Sequence, residues 1–274
     1  MPEIYVSTSC LKGTGDLREI LEVYSAHGIR NVELTGGLEY IRDLDGLLGH
    51  YPGTNFIIHN YFPPPREPFL MNLAAQDEMV REKSLAVCKR ALDLCSRFGG
   101  GLYSFHPGFR VEGALELNFD LSGRRRVPYQ DAFYSFTRSI EEISDYAMDR
   151  GVPIALENLE HKNEAYMMTR PEEFVRFQEI FPEVGVLLDL GHLKIASKRF
   201  GFEAKEFLSA VKDRVLAMNI HENDGIRDLH LEPLGSALMG HLEKLKCETV
   251  VLECRGLSME RILINLRALE QVCG

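Results

Sequence analysis

Short apolar runs alternate with longer stretches in which apolar residues recur every three to four positions, from one end of the chain to the other. The runs at 3–8, 30–34, 55–60, 101–106, 152–157, 184–189, 215–220 and 248–253 have strand length. Several are apolar at nearly every position, as parallel strands buried on both faces are. Helical periodicity between them is clearest at 74–97, 131–149, 171–180, 203–212, 236–245 and 258–271. In the last, Ile262, Leu263, Leu266, Leu269 and Val272 fall on one stripe. Eight strands with helical stretches between them predict an α/β chain forming one (β/α)8 barrel domain over 1–274. The rival is an open, doubly wound sheet, which often carries a glycine fingerprint after its first strand. Here Ser9-Cys10-Leu11-Lys12-Gly13-Thr14-Gly15 has no GxGxxG, and Gly99-Gly100-Gly101 reads as a helix end and turn. The longest irregular stretch, about 107–130, has the length of a lid or of an interface in a homo-oligomer; its Arg124, Arg125 and Arg126 read as a solvated loop.

The strands are apolar, yet most end in a side chain able to bind a metal. Strand three ends at His59, strand four at His106 and strand five at Glu157. Strand six ends at Asp189, with His192 three residues on. Strand seven runs into His221, the loop beyond it carries Asp228 and His230, and strand eight ends at Glu253. Taken singly, a histidine here is a hydrogen-bonded structural residue and an acid caps the next helix. Taken together, a barrel brings all these positions to one rim, and five of the chain's nine histidines are among them. Four carboxylates gathered there would repel one another unless cations sat among them. Imidazole and carboxylate without thiolate suit zinc, manganese, cobalt or iron(II), and the set is large enough for two or three divalent ions. The remaining histidines read otherwise: His27 and His50 lie near helix ends or turns, and His161 and His241 are expected to be solvated. Asp224-Gly225 reads as a turn.

Composition narrows the partners. The 274 residues are 45% hydrophobic and 26% charged, ordinary for a soluble globular chain, and no apolar run reaches the length of a membrane helix. No CxxC pairing and no amino-terminal leader pattern are visible, so a reduced, cytoplasmic setting is expected. With 31 basic against 41 acidic residues, the net charge of −10 weighs against nucleic acid as the partner.

The segments Phe105-His106-Pro107-Gly108, Leu156-Glu157-Asn158, Leu188-Asp189-Leu190-Gly191-His192 and Asp228-Leu229-His230 carry a resemblance. Over nearly the whole chain, the sequence resembles the xylose isomerase-like barrel superfamily, which holds sugar isomerases and epimerases and the endonuclease IV-type apurinic/apyrimidinic endonucleases. The resemblance implies a shared metal-binding core of Glu157, Asp189, His221 and Glu253. It also implies that Glu157 and Glu253 carry protons on opposite faces of a sugar or sugar phosphate, which passes through an enediolate. His59, His106, His192, Asp228 and His230 match what endonuclease IV uses to complete a trinuclear zinc cluster, which implies phosphodiester hydrolysis as the alternative. The stretch from His221 to Gly235 and the proline-rich loop Asn60-Tyr61-Phe62-Pro63-Pro64-Pro65 look more like the isomerase relatives. Isomerase or epimerase therefore ranks first. Arg227 and Arg255, placed after strand ends, are the candidate substrate-binding cations.

Overall fold

The computed structural model describes residues 2–99, 101–113, 121–242, 245 and 247–274. Eight parallel strands follow one another around a barrel: β1 (Glu3–Ser7), β2 (Asn31–Leu34), β3 (Asn55–His59), β4 (Tyr103–Phe105), β5 (Ile154–Glu157), β6 (Gly185–Asp189), β7 (Val215–Ile220) and β8 (Thr249–Leu252). β8 pairs back onto β1 through Glu3↔Thr249 to Val6↔Leu252, so the sheet has no edge and the open-sheet rival is excluded.

The helices between the strands are α1 (Leu17–Ala26), α2 (Leu44–Gly49), α3 (Glu78–Phe98), α4 (Tyr129–Met148), α5 (Pro171–Ile180), α6 (Leu190–Phe200), α7 (Ala204–Val211), α8 (Met239–Leu242) and α9 (Met259–Cys273). Local chemistry sets their ends. Asp77 caps α3 by accepting from the N–H groups of Met79 and Val80, and Gly99 closes it in the left-handed conformation. Arg81 of α3 is ion-paired with Glu142 of α4 at 2.7 Å, joining neighbouring helices of the outer ring. α1, α2 and α6 lie outside the stretches where periodicity is clearest. The helix expected over 236–245 is the single turn α8; residues 243, 244 and 246 lie outside the described residues.

The barrel interior shows how the strands build a site. Side chains alternate along a strand, so every second residue points inward. Tyr5, Ile57, Leu102, Ala155, Leu187, Ala217 and Val251 form a closed apolar cluster inside the barrel. Two residues further along the same strands stand Ser7, His59, Ser104, Glu157, Asp189, Asn219 and Glu253, all buried. One more inward step brings His106 after β4 and His221 after β7. An apolar floor therefore supports a polar layer at the carboxyl-terminal end of the strands.

A smaller apolar cluster, Leu70, Phe109, Val111, Leu121, Leu159, Ala165 and Tyr166, covers one side of that end. It ties the stretch after β4 to the loop after β5 through the Phe109↔Tyr166 bridge. Of the irregular stretch 107–130, residues 114–120 lie outside the described residues. Within the described part, Arg126 donates to the carbonyls of Leu121 and Arg124 and to the Asn163 amide oxygen, while Arg125 pairs with Glu112 at 3.4 Å. Arg125 and Arg126 thus brace the loop. Among the described residues no helix is long and apolar enough to cross a membrane.

Candidate metal centre

All nine side chains read from the sequence as candidate ligands converge on the carboxyl-terminal end of the barrel. They fall into overlapping groups whose nitrogen and oxygen atoms lie within 4.8 Å of one another: His59 with His106 and Glu157; Asp189 with His221 and Glu253; His192 with His221, Asp228 and His230. A further group, Glu157 with Asp189 and His192, joins them into one centre.

The distances suit ligands that share an ion. In tetrahedral zinc geometry, two ligand atoms on one ion stand roughly 3.4 Å apart. Nε2 of His59 lies 3.2 Å from Glu157 Oε2, and His221 Nε2 lies 3.1 Å from Asp189 Oδ2. Asp228 Oδ1 stands 3.7 Å from His192 Nε2 and 3.8 Å from His221 Nε2. His106 Nε2 is closer, 2.7 Å from Glu157 Oε2. Yet both Glu157 oxygens and Asp228 Oδ1 are buried with no hydrogen bond of acceptable geometry. Buried acceptors in that state cost free energy, and a cation among them relieves it.

Three of the histidines are held from behind. His59 Nδ1 is 2.9 Å from the Ser104 hydroxyl, His192 Nδ1 is 3.0 Å from the Asn158 carbonyl oxygen, and His230 Nδ1 is 2.9 Å from the Glu253 carbonyl oxygen. A proton on Nδ1 facing a carbonyl leaves Nε2 for an ion, the usual outer support of a metal-binding imidazole. Asn158 also ties two strand ends together: its amide donates to the Asp189 carbonyl at 2.9 Å and accepts from the Asp189 N–H at 2.8 Å. Asp189 serves twice. Oδ1 accepts from the His192 N–H and caps α6, while Oδ2 faces His221. The capping reading and the ligand reading hold together.

Two glycines make room. A Cβ on Gly191 would meet the His221 ring at 2.2 Å, and one on Gly108, whose φ is +96°, would meet Asn72 Oδ1 at 2.2 Å. His230 itself has a φ of 46°, uncommon for a residue with a side chain and the kind of local strain found at functional sites.

Electrostatics divide the carboxylates. Burial opposes ionisation of Glu157, but the His106 and His59 imidazoles outweigh it and hold the group well below the usual carboxylate range. Glu253 has no such ring of partners, and burial pushes it well above that range. Burial also lowers His59 to about 4. Glu33 on β2, not among the nine, is buried with both oxygens unpartnered, and burial pushes it up to about 8. An acid one residue short of a strand end, within Asn31-Val32-Glu33-Leu34, was the available signal for it.

The centre opens into a pocket of about 1010 Å³ whose walls include Tyr61, Pro64, Arg66, Tyr166 and Arg255. Arg255 is exposed at its mouth. Arg227 lies elsewhere, on an exposed turn where its Nε donates to Asp224 Oδ2 at 2.9 Å. Asp224 accepts from the N–H groups of Ile226 and Arg227, as a turn residue does. The pocket wall also holds two charged residues of the loop after β5 that the sequence reading did not single out: Glu160, which is buried, and Lys162. His161 between them corrects an expectation. It is buried rather than solvated, because the apolar packing of Leu159, Ala165 and Tyr166 folds this loop onto the barrel, and its ring meets Phe200 edge-on. His27 and His50 are exposed helix ends, as expected, with Nδ1 on the carbonyl oxygens of Val23 and Gly46.

Known proteins resemble the chain in sequence and in fold. An uncharacterised protein of Methanocaldococcus jannaschii is 26% identical over 161 residues, covering 59% of this chain and 55% of that protein. A probable endonuclease 4 of Aquifex aeolicus is 27% identical over 190 residues, covering 63% of this chain and 60% of its own. The chain thus spans little more than half the length of these curated relatives. Among solved structures, a D-tagatose 3-epimerase-like protein superposes with a TM-score of 0.75 at 18% identity, over 98% of this chain and 96% of that one. The family model for the xylose isomerase-like TIM barrel matches residues 21–246, and the chain belongs to that family.

Proposed function

We propose that this chain is a metal-dependent isomerase or epimerase acting on a small sugar or sugar phosphate. One observation carries the reading: Glu157 and Glu253 belong to neighbouring ligand groups joined through Asp189, and both line the same pocket. A pocket of about 1010 Å³ is of the size that takes a small molecule. Two or three divalent ions, zinc or else manganese, cobalt or iron(II), fit the imidazole and carboxylate set. Bound there, a cation supplies Lewis acidity that polarises a carbonyl and acidifies the adjacent C–H bond. The chain's residues do the rest. His59, His106 and His192 surround Glu157 and keep its carboxylate ionised, as a base must be. Asn219 donates to Glu253 Oε2 at 2.9 Å and fixes the second carboxyl, which returns a proton to the neighbouring carbon or to the other face. The apolar floor beneath keeps bulk water from the barrel side. Likeness in fold to the D-tagatose 3-epimerase-like protein supports the same class of chemistry.

A second reading, zinc-dependent phosphodiester hydrolysis, is favoured by the surplus of ligands. Enolisation needs one metal site, whereas His59, His106, His192, Asp228 and His230 supply the groups for two more. The relative named as a probable endonuclease 4 points the same way. The net charge of −10 and the confined pocket weigh against duplex DNA as substrate.

The test is solvent exchange. Metal-loaded protein is incubated in D2O with a panel of ketoses and ketose phosphates and followed by NMR. Deuterium entering at the carbon next to the carbonyl, and lost in Glu157→Gln, is the expected result. No exchange with any sugar, together with hydrolysis of an abasic-site oligonucleotide or of bis(p-nitrophenyl) phosphate, would replace the first reading by the second.

A further inference from the structure

Glu160, like Glu33, is a buried carboxylate that belongs to none of the ligand groups. It lies on the loop after β5, only 5% exposed, in the wall of the same pocket. Its Oε1 is 2.7 Å from Lys162 Nζ, and its Oε2 is 3.5 Å from His192 Nε2. Burying a carboxylate is unfavourable, and one half-exposed lysine offsets only part of that. What the second oxygen faces is therefore informative. His192 Nδ1 is engaged with the Asn158 carbonyl oxygen, so Nε2 is the nitrogen left for an ion, and Glu160 stands on that side of the ring. On the same side, Asp228 Oδ1 is 3.7 Å from Nε2 and without a hydrogen bond. Glu160 is not itself within ligand distance of the whole group of His192, His221, Asp228 and His230.

We propose that Glu160 is a positioning residue for this third group. Its charge stands beside the metal-facing nitrogen of His192, fixes the ring against the pocket wall and raises the affinity of the group for a divalent cation. Lys162 tempers that charge from the solvent side. The inference rests on the metal-dependent reading above and extends it to a residue outside the nine. Outer groups of this kind typically change metal affinity by about 10-fold to 100-fold.

The experiment is a zinc titration of chelator-stripped protein against a chromophoric competitor, with wild type, Glu160→Gln, Glu160→Asp and Lys162→Met. Glu160→Gln is expected to weaken one zinc equivalent about tenfold or more, leaving the other equivalents and the melting temperature of the stripped protein unchanged. Glu160→Asp restores part of the loss, and Lys162→Met leaves that equivalent at least as tight as in wild type. A Glu160→Gln protein that binds every equivalent as wild type does, or that loses affinity only together with melting temperature, overturns the inference and leaves the metal reading standing. Wild-type protein that takes up no zinc overturns both.

Discussion

Gly191 leaves no room for a side chain beside His221: a Cβ there would lie 2.2 Å from the ring carbon Cε1. The imidazole is fully buried, and it belongs to two of the ligand groups. Gly191→Ala should therefore displace His221 and weaken metal at both groups while the group built on His59 keeps its ion. Metal content per chain, measured with the melting temperature, checks this. Full loading of Gly191→Ala would show that His221 is not a ligand.

Glu157 touches three histidines and two ligand groups, so the proposed reaction gives its charge a part in both binding and proton transfer. Glu157→Gln keeps the shape and removes the base. Turnover or solvent exchange should fall by at least about 10²-fold, the usual contribution of a positioned base, with the circular dichroism spectrum unchanged. Activity retained in this variant would remove Glu157 from the mechanism.

The two candidate arginines should separate. Arg255 lines the pocket mouth, whereas Arg227 is engaged with Asp224 on an exposed turn. Arg255→Ala should raise KM about tenfold, in keeping with loss of one charge-assisted hydrogen bond. Arg227→Ala should leave KM unchanged. Steady-state kinetics on the substrate found by solvent exchange decides it, and equal effects would contradict the placement.

Glu33 sets a pH dependence. Its folded pKa, about 8, lies above the ordinary value of 4.5 because the group is buried. A group raised in this way favours folding fully below its unfolded pKa, and that contribution is lost as pH rises toward the folded pKa. Metal-free wild type should thus lose stability between about pH 4.5 and pH 8, by roughly 1.4 kcal/mol per pH unit from this group. Glu33→Gln should flatten that slope and melt higher than wild type at pH 8. Parallel melting curves across the range would contradict it.

Much of the barrel was legible because parallel strands buried on both faces leave continuous apolar runs, and because the candidate ligands stand where those runs end. His59, His106, Glu157, Asp189 and Glu253 were visible for that reason, two residues beyond the floor formed by Ile57, Ala155, Leu187 and Val251, with His106 one inward step after Ser104. Other parts left weaker traces. α2 is six residues long, too short for periodicity to show. α6 begins directly at the site, with Asp189 as its cap, so the segment Asp189-Leu190-Gly191-His192 reads equally well as a turn. His161 and Glu160 are buried by a loop whose packing depends on Phe109 and Tyr166 meeting across the chain, a long-range contact that local pattern does not encode. Glu33 left only the trace of an acid one residue short of the end of β2, a strand that also holds Asn31.

The proposed reaction depends on metal. The most direct measurement is elemental analysis of protein purified without chelator, expressed as ions per chain, followed by titration of the stripped protein with zinc, manganese, cobalt and iron(II). Two or three divalent ions per chain, lost in Glu157→Gln and Gly191→Ala to different extents, is the predicted result. No ion after purification, and none taken up from any of the four metals, would contradict the reading of these nine side chains as a metal centre.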